Sequence, residues 1–216
     1  MYQSIHSRSR SIWLLVGVAS VIGAASATAA TTPVARPTVS DTDLCAQDSG
    51  DAAIAACTRA IVSGPHSDDA LAELYYNRGF EQRKKGNYEA AIADYSEAIR
   101  LNPTDPDAFN NRGIVWHKIG ENEKALADYN EAIRLNPTDP EVFYNRGLVW
   151  REIGENEKAV ADYSEAIRLN PTDPDAFYNR GLVWREIGEN EKAVADYDEA
   201  IRLRRIPTLS TIAVSP

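Results

Sequence analysis

Cysteine and histidine are scarce in this chain. Two cysteines and three histidines occur in 216 residues, His6 lies in the N-terminal segment, and no pair has the spacing of metal ligands, so neither a metal nor any other cofactor is expected. Nucleophile motifs and phosphate-cradling glycine loops are also missing, which leaves no foothold for catalysis. Basic charge is short as well: 23 lysines and arginines face 32 acids, for a net charge of −9. A nucleic-acid partner would need a basic stripe, and none is present. Long apolar runs are limited to Ile12–Ala25, less than the ~18 to 20 residues that span a bilayer, and no stop-transfer segment follows it.

That run sits between Arg8 and Arg10 on one side and a small-residue tail on the other, where Ala25-Ser26-Ala27 and Ala27-Thr28-Ala29 both fit A-x-A cleavage. Residues 1–29 therefore read as a secretory signal peptide, with an uncleaved anchor as the alternative, and the expected location is the periplasm. Cleavage would leave no membrane span. Residues 30–43, with Pro33 and Pro37, read as a linker.

What the chain has in abundance is repetition. Phe143-Tyr144-Asn145-Arg146-Gly147-Leu148-Val149-Trp150 returns unchanged at 177–184, one 34-residue period later, and looser copies begin at Phe109 and Tyr75. Four repeats follow from this period: 72–105, 106–139, 140–173 and 174–207. Each divides into a helix A and a helix B. Asp-Pro at 105–106, 139–140 and 173–174 marks the start of helix A, with aspartate as cap and proline where its missing donor costs nothing. Gly120, Gly154 and Gly188 are placed as left-handed ends of helix A, Asn122, Asn156 and Asn190 as N-caps of helix B, and Asn-Pro at 102–103, 136–137 and 170–171 as its end.

Ahead of the array, DAAIAACTRAIV at 51–62 mirrors EAAIADYSEAIR at 89–100. Residues 44–71 are thus a degenerate first hairpin, with a short helix near 43–47, a helix B, and a loop from Ser63 to Leu71 carrying an exposed His66. Cys45 and Cys57 could face each other across this hairpin. In an exported protein they are expected to form a disulfide, contributing about 3 kcal/mol by the chain-entropy model; two buried thiols are the alternative.

The filled positions of each unit resemble the tetratricopeptide repeat family. In the second repeat they are Phe109, Gly113, Trp116, Ala125, Tyr129, Ala132 and Pro137. The third has Phe143, Gly147, Trp150, Ala159, Tyr163, Ala166 and Pro171, and the fourth matches until Arg205 stands where proline is expected. The resemblance implies an all-α, right-handed superhelical solenoid of antiparallel helix-turn-helix hairpins. One departure is informative: Arg78, Arg112, Arg146 and Arg180 precede the repeat glycine, each followed sixteen residues later by Asp94, Asp128, Asp162 or Asp196. Four partly buried ion pairs across the hairpins are expected, with solvated arginines as the alternative.

The resemblance also implies a non-enzymatic scaffold that binds a peptide or helix of a partner protein along the concave face of the A helices. The groove positions carry over as Tyr76, Phe80 and Arg83 in the first repeat, and Asn110, Ile114 and His117 in the second. In the third they are Tyr144, Leu148 and Arg151, and in the fourth Tyr178, Leu182 and Arg185. Their mix of aromatic, aliphatic and cationic side chains suits a partly apolar, acidic peptide, although Tyr144 and Leu148 could instead pack against the next hairpin. The lysine and asparagine clamp of chaperone-binding members is replaced by Tyr or Asn and by Phe, Ile or Leu. His117 has no recurring titrating partner in this reading, and Glu123-Lys124 and Glu157-Lys158 read as a solvated outer face. After Leu203 no amphipathic capping helix follows, so stacking of a second copy on the last hairpin, giving a homodimer, is the alternative function, with 208–216 as a tail.

Overall fold

Aspartate-proline pairs start three helices in the computed structural model, which describes residues 39–205. Asp105, Asp139 and Asp173 each accept a hydrogen bond from the backbone N–H two residues on, and the following proline is the first helical residue. Ten helices are formed among the described residues, and no strand. They are α1 (Asp41–Gln47), α2 (Gly50–Val62), α3 (Asp68–Lys85), α4 (Tyr88–Leu101) and α5 (Pro106–Lys118), then α6 (Asn122–Leu135), α7 (Pro140–Glu152), α8 (Asn156–Leu169), α9 (Pro174–Glu186) and α10 (Asn190–Arg205). The chain divides at Thr38 into two units, and all ten helices belong to the second. The segment expected to be a signal peptide, 1–29, and the tail expected at 208–216 lie outside the described residues.

Within each hairpin the turn is made by glycine in the left-handed region. Gly120, Gly154 and Gly188 have φ of 80°, 81° and 86°. The residue after each donates back into helix A, as Glu121 N–H does to Trp116 C=O at 2.9 Å, closing the turn that only a residue free of Cβ strain enters cheaply. Helix B opens differently from expectation. Glu121 and Glu155 are the N-cap residues, without a side-chain cap, while Asn122 and Asn156 are already helical. The glycine turn delivers the chain to the helix one residue early, so the asparagine amide is free for other partners.

Two further differences lie at the first hairpins. Ser67 caps α3 by accepting from Ala70 N–H, so α3 begins four residues before the repeat phase suggests and the loop ahead of it is only 63–67. His66 is half-buried there rather than exposed, its Nε2 2.7 Å from the Ala60 carbonyl oxygen.

Packing follows the small residues. A Cβ on Gly113, Gly147 or Gly181 would stand 2.8, 2.9 or 2.7 Å from Cε1 of Tyr129, Tyr163 or Tyr197, so glycine is what lets helix A lie on the ring from helix B. Tyr95, Tyr129 and Tyr163 are fully buried, beside Ala91, Ala125 and Ala159. Each helix packs on the next, and α3, α5, α7 and α9 touch in series, whereas α4, α6, α8 and α10 do not touch one another. The A helices therefore line the inner side of a solenoid of antiparallel hairpins. Among the described residues no helix is long and apolar enough to cross a membrane.

Candidate functional site

The inner side is a row of equivalent A-helix positions, and their environments differ along it. Phe80, Ile114, Leu148 and Leu182 are half-buried; Tyr76 and Tyr144 are half-buried too, while Tyr178 is 43% exposed. Asn110 is buried, its Oδ1 accepting from Asn145 Nδ2 at 3.2 Å, so it lies within a joint rather than in the open groove. Tyr76 and Tyr144 are likewise used by the joints. Each hydroxyl accepts from an asparagine on the next A helix, Asn111 or Asn179, at 3.0 Å. Burial, reinforced by the Asp175 and Asp173 charges, pushes the Tyr144 phenol up to about 12.

A second series of contacts crosses the same joints one helical turn or two further on. His117 Nε2 lies 2.7 Å from Glu152 Oε2, and Arg151 donates through Nε and Nη2 to Glu186 Oε1 at 3.0 and 2.6 Å. Asn122, released from capping, also reaches Glu152 at 3.4 Å. Hydrogen bonds from His117 and Asn122 hold the Glu152 carboxyl below the usual glutamate range. These pairs join residues 35 apart in sequence. The same step from Arg83 leads to Lys118, a like charge, and Arg83 instead lies over the Phe80 ring at 5.1 Å. Arg185, at the other end, is exposed and has no ion-pair partner among the described residues. Between the two pairs, His117, Leu148, Arg151, Glu152 and Glu186 line a cleft of about 360 Å³ with leucine at its floor.

The four arginines before the repeat glycines lie between helices. Arg78, Arg112, Arg146 and Arg180 each fork onto Asp94, Asp128, Asp162 and Asp196, Nε to one oxygen and Nη2 to the other, at 2.7 to 2.9 Å. The aspartate side chains are only 7–8% exposed and the arginines 19–20%. Nη1 of the same guanidinium reaches back to the preceding helix B: Thr58, Ser96, Asn130 and Ser164 accept at 3.1, 2.9, 2.6 and 3.0 Å. One side chain thus ties its own hairpin closed and binds it to the hairpin before. Cys45 and Cys57 are joined as a disulfide between α1 and α2 and are buried with Leu74.

Several of these partners are not legible in the sequence. The sixteen-residue step to aspartate was visible; the backward step to a hydroxyl or amide was not. The cation-to-glutamate step of 35 recurs at 117/152 and 151/186, and that recurrence was the available signal. Lys124, Lys158 and Lys192 lie 4.5 to 4.6 Å from the ring centroids of Trp116, Trp150 and Trp184, so the outer lysines cover the tryptophans as well as facing water.

With this geometry in hand, the likenesses of the chain are specific. The model of the TPR repeat matches residues 81–120, 115–150 and 149–184, and that of the tetratricopeptide repeat matches 174–207. Among solved structures, the chain is similar to MamA, at 25% identity over 71% of this chain and 88% of that one, with a TM-score of 0.66. It is similar to YrrB, described as a TPR protein with an unusual peptide-binding site, at 27% identity over 70% and 76% of the two chains, with a TM-score of 0.60. A MamA from Desulfovibrio magneticus RS-1, 20% identical over 71% and 84% with a TM-score of 0.65, shares the fold. No curated protein is significantly similar to the chain in sequence.

Proposed function

Because the chain belongs to the tetratricopeptide repeat family, we propose that this protein-interaction scaffold binds an extended or helical segment of a partner in the groove of its A helices, without catalysing a reaction. The observation that carries this reading is the cleft floored by Leu148 between the His117–Glu152 and Arg151–Glu186 pairs. An apolar floor between charges that already satisfy each other accepts an apolar side chain without stranding an ion. Beyond these pairs, Arg83 and Lys118 stand toward one end of the row and Arg185 at the other, none of them in an ion pair among the described residues. An apolar residue flanked by acidic ones is the ligand this arrangement favours. YrrB, a neighbour at 27% identity, is described as having a peptide-binding site, and that supports the same use here. Export to the periplasm fits the signal-like segment and the Cys45–Cys57 disulfide, a bond that persists in oxidising compartments.

Stacking of intact copies head to tail on the last hairpin would require a complementary leading edge. α1, with the sequence DTDLCAQ, offers no arginine and no glutamate there. The groove reading is therefore preferred. Its test is selection of a displayed random-peptide library on the mature protein, repeated with Leu148→Asp. Enriched sequences combining an apolar residue with flanking acids, lost with Leu148→Asp at unchanged helicity, are expected. Equal enrichment on both proteins would refute the groove as the site.

A further inference from the structure

Among the described residues no further A helix packs on the outer face of α9 and α10. At the joints made by α7 and α9 the incoming A helix supplies three polar groups in one register. For α9 they are Asn179 to the Tyr144 hydroxyl, Arg180 Nη1 to Ser164, and Glu186 to Arg151, at 3.0, 3.0 and 2.6 Å. The last hairpin carries the three receiving positions again, as Tyr178, Asp198 and Arg185. None of the three receiving groups has a hydrogen-bond or ion-pair partner among the described residues. At the receptor position for arginine, inner joints hold Ser96, Asn130 and Ser164, whereas this face holds a carboxylate, Asp198, which binds a guanidinium more strongly than a hydroxyl or amide does. The apolar ground is uncovered too: Val194 and Ile201 are 58% and 48% exposed, where Leu126 in the second repeat is 9% exposed. Tyr178, Leu182, Arg185, Tyr197, Ile201 and Arg204 border a cleft of about 390 Å³.

We infer that this face is a docking site for an amphipathic helix of a partner protein carrying Asn-Arg followed six residues later by Glu, in the register of Asn179, Arg180 and Glu186. Charge complementarity selects that occupant. Arg185 would accept a carboxylate and Asp198 a guanidinium, and the spacing that supplies both along one A helix is that of Arg146 and Glu152 in α7 and of Arg180 and Glu186 in α9. Residues 206–216 of this chain, IPTLSTIAVSP, contain no arginine, asparagine or glutamate and cannot supply the set. Arg204 does not close the site, because its guanidinium is held by Asp175 at 2.7 Å and lies over the Tyr178 ring, at the border of the cleft.

The probe is a peptide with the sequence of residues 174–187, held helical by a hydrocarbon staple on its outer face, titrated into the full mature chain by calorimetry. Saturable one-to-one binding is expected. Replacing the peptide arginine (Arg180→Glu) should weaken it roughly tenfold or more, as for loss of a charge-assisted pair, and Asp198→Arg in the protein should restore the loss. Asp198 is exposed, so that variant leaves the fold intact. Leu148→Asp, which disables the groove, should leave this binding unchanged, so the two sites fail separately. Absence of binding, binding indifferent to Asp198→Arg, or light scattering showing that the face is already occupied by a second copy would each overturn the inference.

Discussion

Arg146 grips Asp162 with two prongs, Nε and Nη2, both at 2.7 Å, and holds Asn130 of the preceding hairpin with the third, at 2.6 Å. The Asp162 side chain is 8% exposed, so its removal strands a guanidinium that is itself mostly covered. Asp162→Ala is expected to cost about 3 kcal/mol, as for breaking a buried pair. Asn130→Ala, which removes a single neutral acceptor at the edge of the same guanidinium, should cost about 1 kcal/mol. Denaturant titrations followed by circular dichroism measure both; equal and negligible effects would mean that the arginines are in effect solvated.

Gly147 sits against the ring it packs on. A methyl group there would meet Tyr163 Cε1 at 2.9 Å, and Tyr163 is fully buried and cannot swing away. Gly147→Ala should therefore destabilise by about 1–3 kcal/mol through overpacking. Gly64→Ala is the control, since no atom lies within 4 Å of its added Cβ. A melting temperature that falls for the first and not for the second is the expected result.

Alkali should loosen the array through its tyrosines. Burial raises the phenols of Tyr76, Tyr95, Tyr129 and Tyr163, and brings Tyr144 to about 12. An unfolded tyrosine ionises near 10. The folded state therefore holds more protons than the unfolded one above that pH, and stability that is complete below about 10 declines as pH rises toward the folded values. Ultraviolet titration should show these phenols ionising late, together with loss of helix. Normal titration of every tyrosine in a still-helical protein would contradict the burial.

Reduction should act locally. The Cys45–Cys57 bridge ties α1 to α2, and by the chain-entropy model a loop of this kind is worth about 3 kcal/mol. Because hairpins contact only their neighbours, the loss should be confined near α1 and α2. Hydrogen exchange after reduction is expected to quicken there and leave α7 and α8 unchanged; a uniform rise along the chain would show the bridge acting on the whole array.

The hairpins were legible because the period, the Asp-Pro starts and the glycine turns are local signals, each with a backbone reason. Arg146 and Asp162 were legible as a pair because antiparallel helices of fixed length place positions sixteen apart side by side. Contacts between hairpins were less so. The reach of Arg146 to Asn130, or of Arg151 to Glu186, depends on how far one hairpin is rotated on the next, and no local propensity encodes that rotation. Ser67 departs from the pattern for a different reason: the 34-residue phase does not hold at the start of the first repeat, where an ordinary serine cap and Asp68-Asp69 begin α3 sooner. Likewise Asn122 looks like a cap by residue type, but the turn at Gly120 leaves it inside the helix, where its amide serves Glu152.

A covalent clasp at α1–α2 and bare apolar side chains on α10 make the two ends of the array unequal. Nearest-neighbour stability then has a polarity. Among the described residues the α9–α10 hairpin has a neighbour on one side only and no clasp, so opening should run from α10 backward, like a zipper stitched shut at its first tooth. The inner surface nearest α1 stays assembled longest, and a ligand spanning the row would find its anchorage there before it reached the last turn of the groove.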